Sequence, residues 1–325
     1  MKNIRIIAYV LLIACMASCY PDYVKDYDYD ATYFANQVDT RSFVVGEGMK
    51  IEVGTVLSGV IDNSKNRVVN FKIDDSLVSG NMLALMQGGL GYMQEATDGV
   101  TRLLPIPSDY YTISNNSRIV ISKGKHTGTV VIRPDSARFL ADALTLRANY
   151  VLPLYIESAD VDTILESKRF TVIGLHYECM LFGNYYHGGV TVKNDASGKE
   201  LGTVKYATTI PQADALVWAL TTVAPFSVET SQISDGTLKG GIRLTLDYET
   251  GKVTVGKASG STINVEADGE CYYNKPKLLQ DRKIFLAYKY TNADGSISHV
   301  RDTLTFRNRI RDGVNEWQDE DPSHY

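Results

Sequence analysis

The sequence predicts a mainly β protein, an N-terminal antiparallel β-sandwich followed by a second antiparallel β domain that is a barrel or a sandwich. Three observations carry this. Short β-branched and aromatic runs recur along the chain, Gly/Asn/Asp/Ser turns separate them, and helical spacing is convincing in one stretch alone. A length of 325 residues is ample for two domains, each with its own core.

The first segment reads as an export signal. Lys2 and Arg5 give a positive start, Ile6 to Ala14 an apolar core, and Met16-Ala17-Ser18 small or apolar residues before Cys19. The apolar run ending at Ser18 falls short of the roughly 20 residues a spanning helix needs. A cleaved signal over residues 1–18 with lipid attachment at Cys19 is the expectation; Leu12-Ile13-Ala14-Cys15 also fits a bacterial lipobox, and a plain secretory cut near Ala17 is a third reading. Residues 19–30, with Asp22, Asp26, Asp28 and Asp30 among tyrosines, then form a polar tether. A multiply acylated cysteine would hold the chain at an outer membrane by buried hydrocarbon, the cell surface being the expected address.

Residues 31–174 carry the sandwich pattern. Lys50 to Val53 alternates, Arg67 to Ile73 is β-branched and aromatic, and Arg118 to Ile121 and Thr127 to Ile132 flank Ser122-Lys123-Gly124-Lys125, the signature of a hairpin. Tyr150 to Ile156 is a further strand that Pro153 pushes toward an edge or a bulge. Ser136 to Leu146 has helical spacing, and Asn81 to Pro107, with Met82, Met86 and Met93 among glycines, predicts a short helix and a mobile loop. Those methionines either fill a gap over the core or form an adaptable contact surface. Short strands, polar turns and one interrupting helix predict an immunoglobulin-like sandwich.

Residues 175–310 change rhythm to longer hairpins. Asn194 to Gly198, Glu249-Thr250-Gly251 and Asn292 to Gly295 are the turns, and the strands between them are evenly spaced. A meander of this kind rolls into a barrel or folds as a sandwich, with the barrel favoured. Residues 311–325 are a charged tail that Trp317 could pin.

Composition excludes some functions. Loss of Lys2 and Arg5 with the signal leaves 31 of 33 basic residues against 38 acidic, a charge of −7 that argues against a nucleic-acid partner. Cys179 and Cys271 remain beside the anchor, either bridged or both free and buried. His126, His176, His187, His299 and His324 show no metal spacing, so neither a metal nor another cofactor is expected. There is no Gly-x-Ser-x-Gly elbow and no phosphate-binding glycine loop, and Glu266, Asp268 and Glu270 read as a solvated edge. No catalytic residue is predicted, and the chain is not expected to be an enzyme.

Several runs add up to a family likeness: Asp30 to Gln37 (DATYFANQ), Val45 to Gly54 (VGEGMKIEVG), Ser122 to Val131 (SKGKHTGTVV) and Ala148 to Leu154 (ANYVLPL). Together they resemble a Bacteroidota surface-lipoprotein family of unknown function, whose N-terminal β-sandwich also precedes endo-β-N-acetylglucosaminidase-type glycosidases. The half opening at Gly183-Asn184-Tyr185-Tyr186-His187 resembles the companion β-rich domain. The resemblance implies an accessory of polysaccharide utilisation that binds glycan without catalysis, since no glycosidase barrel follows. A sugar offers C–H faces to aromatic rings and hydroxyls to amides and carboxylates. The candidate glycan-binding residues are therefore Tyr185, Tyr186, Trp218, Tyr272, Tyr273 and Trp317, each with core packing as its alternative. The competing function is a structural or adhesive surface lipoprotein whose partner is another outer-membrane protein, met at sandwich edges and the Met-rich segment.

Overall fold

The computed structural model describes residue 27 and residues 29–206 and 216–317. Strands dominate both halves, as the alternating runs predict. In the first half the strands are β1 (Ala31–Phe34), β2 (Val38–Val45), β3 (Ile51–Ser58), β4 (Arg67–Ile73), β5 (Leu104–Pro105), β6 (Tyr111–Ile113), β7 (Arg118–Ile121), β8 (Thr127–Pro134), β9 (Tyr150–Ala159), β10 (Thr163–Ile164) and β11 (Phe170–Cys179). They form two sheets, β10-β1-β3-β8-β6 and β2-β11-β9-β4-β7, with β5 added to β9. Period-two alternation turns Phe34, Val53, Ile132, Phe43, Leu152, Leu154 and Leu175 into one core between the layers.

Three local expectations are corrected. The runs Arg118–Ile121 and Thr127–Pro134 are not a hairpin: β7 pairs with β4 and β8 with β3, so the turn between them crosses from one sheet to the other. Both runs bury alternate residues in the same core, which a flat hairpin pairing could equally provide. The crossing is set by tertiary partners, with Gly124 N–H donating to Asn63 O at 2.8 Å. Pro153 sits in a central strand, between β11 and β4. It is tolerated because β4 ends there: Pro153 O accepts from Asp74 N–H at 3.1 Å, just past the last β4 residue, so the missing donor faces a gap in the ladder. The Met-rich segment is two helices, Gly80–Gln87 and Gly91–Ala96, rather than a helix and a loop. Met86 and Met93 are buried with Leu83, Val151 and Val172 on the outer face of the second sheet, filling a gap as one of the two readings held. The stretch Ser136 to Leu146 is helical in two pieces, Ser136–Ala141 and Ala143–Leu146, broken where the Asp142 side chain caps the second piece through Leu144 N–H.

The second half contains β12 (Gly183–Asn194), β13 (Glu200–Tyr206), β14 (Leu216–Ala224), β15 (Ser227–Ile233), β16 (Leu238–Leu246), β17 (Val253–Lys257), β18 (Val265–Ala267), β19 (Tyr272–Tyr273), β20 (Lys283–Thr291), β21 (Ile297–Arg311) and β22 (Val314–Trp317). Their order is β17-β16-β15-β14-β12-β21-β20-β18, and the three turns read from sequence join β12 to β13, β16 to β17 and β20 to β21. The sheet closes into a barrel at β19, where Val253 N–H donates to Cys271 O at 2.9 Å and Tyr273 N–H to Gly251 O at 2.8 Å. The rolled form is therefore the one adopted. Its interior is filled by Tyr185, Trp218, Leu244, Tyr288, Leu304 and Phe306, one face of each strand. Cys179 and Cys271 are both buried and free, which closes the question of a bridge.

Two boundaries move. β11 runs unbroken to Cys179, past the expected limit at residue 174, and β12 begins after three intervening residues. The expected charged tail, 311–325, is ordered strand as far as Trp317: β21 ends at Arg311 and turns at Asp312-Gly313 into β22. Asp312 Oδ1 accepts from Ser42 N–H at 2.8 Å, so this hairpin docks on the sandwich. The remaining charged residues, 318–325, lie outside the described residues, as do the signal, Cys15 and Cys19.

Candidate functional site

The aromatic residues singled out from sequence divide sharply by burial. Tyr185 and Trp218 are fully buried, Tyr273 is 2% exposed and Tyr186 8%. Tyr185, Trp218 and Tyr273 pack in the barrel core and Tyr186 is buried with Arg307 over its ring, so none of the four offers a sugar an open face and all are corrected to packing residues. Tyr185 meets Phe306 edge to face at 5.6 Å, and Trp218 stacks on His187 at 4.1 Å. Tyr272 alone among the five whose side chains are described stays open, 42% exposed and stacked on Phe285 at 4.6 Å. Trp317 ends β22, and its side chain is outside the description.

The buried set encloses a polar cluster that aromatic content did not reveal. His187 Nε2 lies 3.1 Å from Asp302 Oδ2, both side chains fully buried, at an angle that makes a close contact rather than an aligned hydrogen bond. The Tyr206 and Tyr288 hydroxyls both donate to Asp302, the latter at 2.8 Å, and burial followed by the Asp302 charge raises both phenols. This cluster lies inside the barrel, and none of its residues lines the recess at the sandwich–barrel junction.

A recess of about 400 Å³ lies where sandwich and barrel meet, lined by Tyr92 and Glu95 of the second helix, Arg147 after the Ala143–Leu146 turn, His176 and Glu178 of β11, and Phe182 of the connection to β12. The pleat of β11 sets its chemistry. His176 and Glu178 are two residues apart, so both project from the outer face of the second sheet while Leu175 and Tyr177 enter the sandwich core. His176 Nε2 is 3.6 Å from Glu178 Oε1, and the other polar atom of each, His176 Nδ1 and Glu178 Oε2, is buried with no protein partner. Buried polar atoms of this kind are normally satisfied, so each marks a place for a water or a ligand hydroxyl. Burial and then the charge of Glu178 push the Glu95 carboxyl above its ordinary value. Tyr92 is held by its hydroxyl donating to Asp39 Oδ1 at 2.7 Å.

Three further ties hold sandwich and barrel together at this junction. Cys179 N–H donates to Thr222 Oγ1 of β14 at 3.0 Å. Arg309 donates to both Glu47 oxygens, at 3.1 and 2.8 Å, and Arg282 donates to Glu47 and, at 2.7 Å, to Met180 O. Burial raises the Glu47 carboxyl, but the hydrogen bonds and charges of Arg309 and then Arg282 outweigh it and hold it at about 2. None of His176, Glu178, Glu95 or Arg147 stood out in the sequence; the available signal was the polar pair His176/Glu178 interrupting an apolar strand at the domain boundary.

A family model described as a "-like" N-terminal domain matches residues 23–163. A crystal structure of a Bacteroides ovatus protein of unknown function is similar over 87% of this chain and 95% of its own, at 23% identity and a TM-score of 0.62, which establishes a shared fold. A second Bacteroides ovatus structure of unknown function is 15% identical, covering 91% of this chain and 99% of its own with a TM-score of 0.43. No curated protein matches. The family model thus accounts for the N-terminal part of the chain, and the shared fold extends over most of its length.

Proposed function

We propose that the chain is a non-catalytic cell-envelope lipoprotein that binds glycan in the recess between sandwich and barrel. The observation that carries this is the pair of unpartnered buried atoms, His176 Nδ1 and Glu178 Oε2, facing a recess that also holds Tyr92, Arg147 and Glu95. Hydroxyl-rich ligands both donate and accept, so one sugar ring satisfies an imidazole nitrogen and a carboxylate oxygen together. Attachment through Cys19 at the outer membrane and a place beside polysaccharide-utilisation machinery are parts of the same proposal, the first supported by the signal pattern and the second by the family likeness.

The test is a glycan array probed with the secreted chain, followed by calorimetry on each hit with His176→Ala and Glu178→Gln. Saturable binding that either variant weakens about tenfold, the worth of one hydrogen bond to a charged group, is expected. Hits that both variants retain at full strength would remove the recess from the reading. The alternative of a protein partner draws on β13, which pairs only with β12 among the described residues and leaves Leu201 and Val204 more than half exposed. Silence across the glycan panel with co-purification of an outer-membrane protein is the result that would favour it.

A further inference from the structure

A second, smaller cavity of about 230 Å³ opens on the other side of the junction, between the β2–β3 turn and the barrel wall near β19. Its lining differs in sign from the rest of the chain. Lys275, Lys277 and Arg282 face one carboxylate, Glu47, in a protein whose formal charge is −5. Two of its side chains carry donors with nothing to donate to. Tyr273 is 2% and Arg282 5% exposed, and neither the Tyr273 hydroxyl nor Arg282 Nε has a partner. The other arms of Arg282 are already engaged by Glu47 and Met180 O, so the guanidinium is fixed with one edge unused. The Tyr248 ring, 39% exposed, forms a wall, held by its hydroxyl donating to Gly46 O at 3.3 Å and by Lys275 Nζ at 5.4 Å from its centroid.

We infer that this cavity is a binding site for the carboxylate of an acidic sugar, with the Tyr273 hydroxyl and Arg282 Nε donating to the carboxylate, Lys277 supplying charge, and the Tyr248 ring taking the sugar's C–H face. Two buried donors without acceptors call for an anionic acceptor. The aromatic wall beside them is what separates a saccharide site from a bare anion site. The choice of a sugar rests on the glycan reading above, although the site's residues are distinct from those of the recess.

The test uses the full secreted chain titrated with glucuronate and galacturonate, with glucose and galactose as neutral counterparts and acetate as the bare anion. The uronates should saturate at least tenfold more tightly than either the neutral sugars or acetate. Tyr273→Phe deletes a hydroxyl that holds nothing in the fold, so Tm should not fall while uronate affinity drops about tenfold; Tyr248→Ala should bring uronate affinity down to that of acetate. Uronates that fail to saturate, neutral sugars that bind equally well, acetate that matches the uronates, or unchanged affinity in Tyr273→Phe would each overturn the inference. Loss of neutral-glycan binding in His176→Ala with no uronate binding here overturns this site and leaves the recess standing, whereas uronate binding with a silent glycan panel does the reverse.

Discussion

Replacing Glu47 by Gln should loosen the junction by an amount the structure lets one work out. Glu47 sits in the β2–β3 turn of the sandwich and is the common acceptor of Arg309 and Arg282, whose side chains are 3% and 6% exposed. Its carboxyl, ordinarily at 4.5, is held at about 2, and at about 1.4 kcal/mol per pH unit this amounts to roughly 3 kcal/mol of stabilisation. Removing one partner of a buried ion pair costs about 3–5 kcal/mol by general experience, in agreement. Because the folded value is depressed, the contribution is complete above pH 4.5 and is lost as pH falls from there toward 2. At pH 7, Glu47→Gln should therefore lower the melting temperature by about 5 °C for a unit of this size. The variant should also show a flatter loss of stability between pH 4.5 and 2 than the wild type, measured by calorimetry or urea titration across that window. A destabilisation under about 1 kcal/mol at neutral pH, or an unchanged acid profile, would refute the idea that Glu47 and its two arginines hold the junction.

Two other outcomes follow from the barrel. Gly189→Ala should unfold it or cost more than about 3 kcal/mol, because an added Cβ would meet Arg301 O at 2.5 Å and Asp302 Oδ1 more closely still; a soluble variant melting like the wild type would show that β21 can shift. Cys179, its thiol pushed up to about 12 chiefly by burial, and Cys271, also raised by burial, should ignore a thiol reagent in the folded secreted chain and react together on unfolding in urea. Fast labelling of either at neutral pH would contradict their placement.

How much of this was legible in the sequence depended on whether the signal was local. Asn194 to Gly198 and Asn292 to Gly295 close hairpins because their backbone preferences are local, and both turns stand where they were read. Arg118 to Ile132 carried equally good local chemistry, yet its strands part into opposite sheets, since partner choice is decided by residues far along the chain such as Asn63. The aromatic pairs misled for a related reason: alternation shows that Tyr185 and Tyr186 point opposite ways but not that a barrel closes around one while Arg307 lies over the other at 5.7 Å. The recess was invisible because its lining comes from five segments far apart in the chain.

The pairing of β2 with β11 has a mechanical consequence. These strands run parallel through eight matched positions, from Val38 opposite Val172 to Val45 opposite Cys179. If the protein hangs from its amino end while something tugs on the barrel, the load enters at one end of this ribbon and leaves at the opposite end of its neighbour. Every rung then resists together in shear instead of peeling singly.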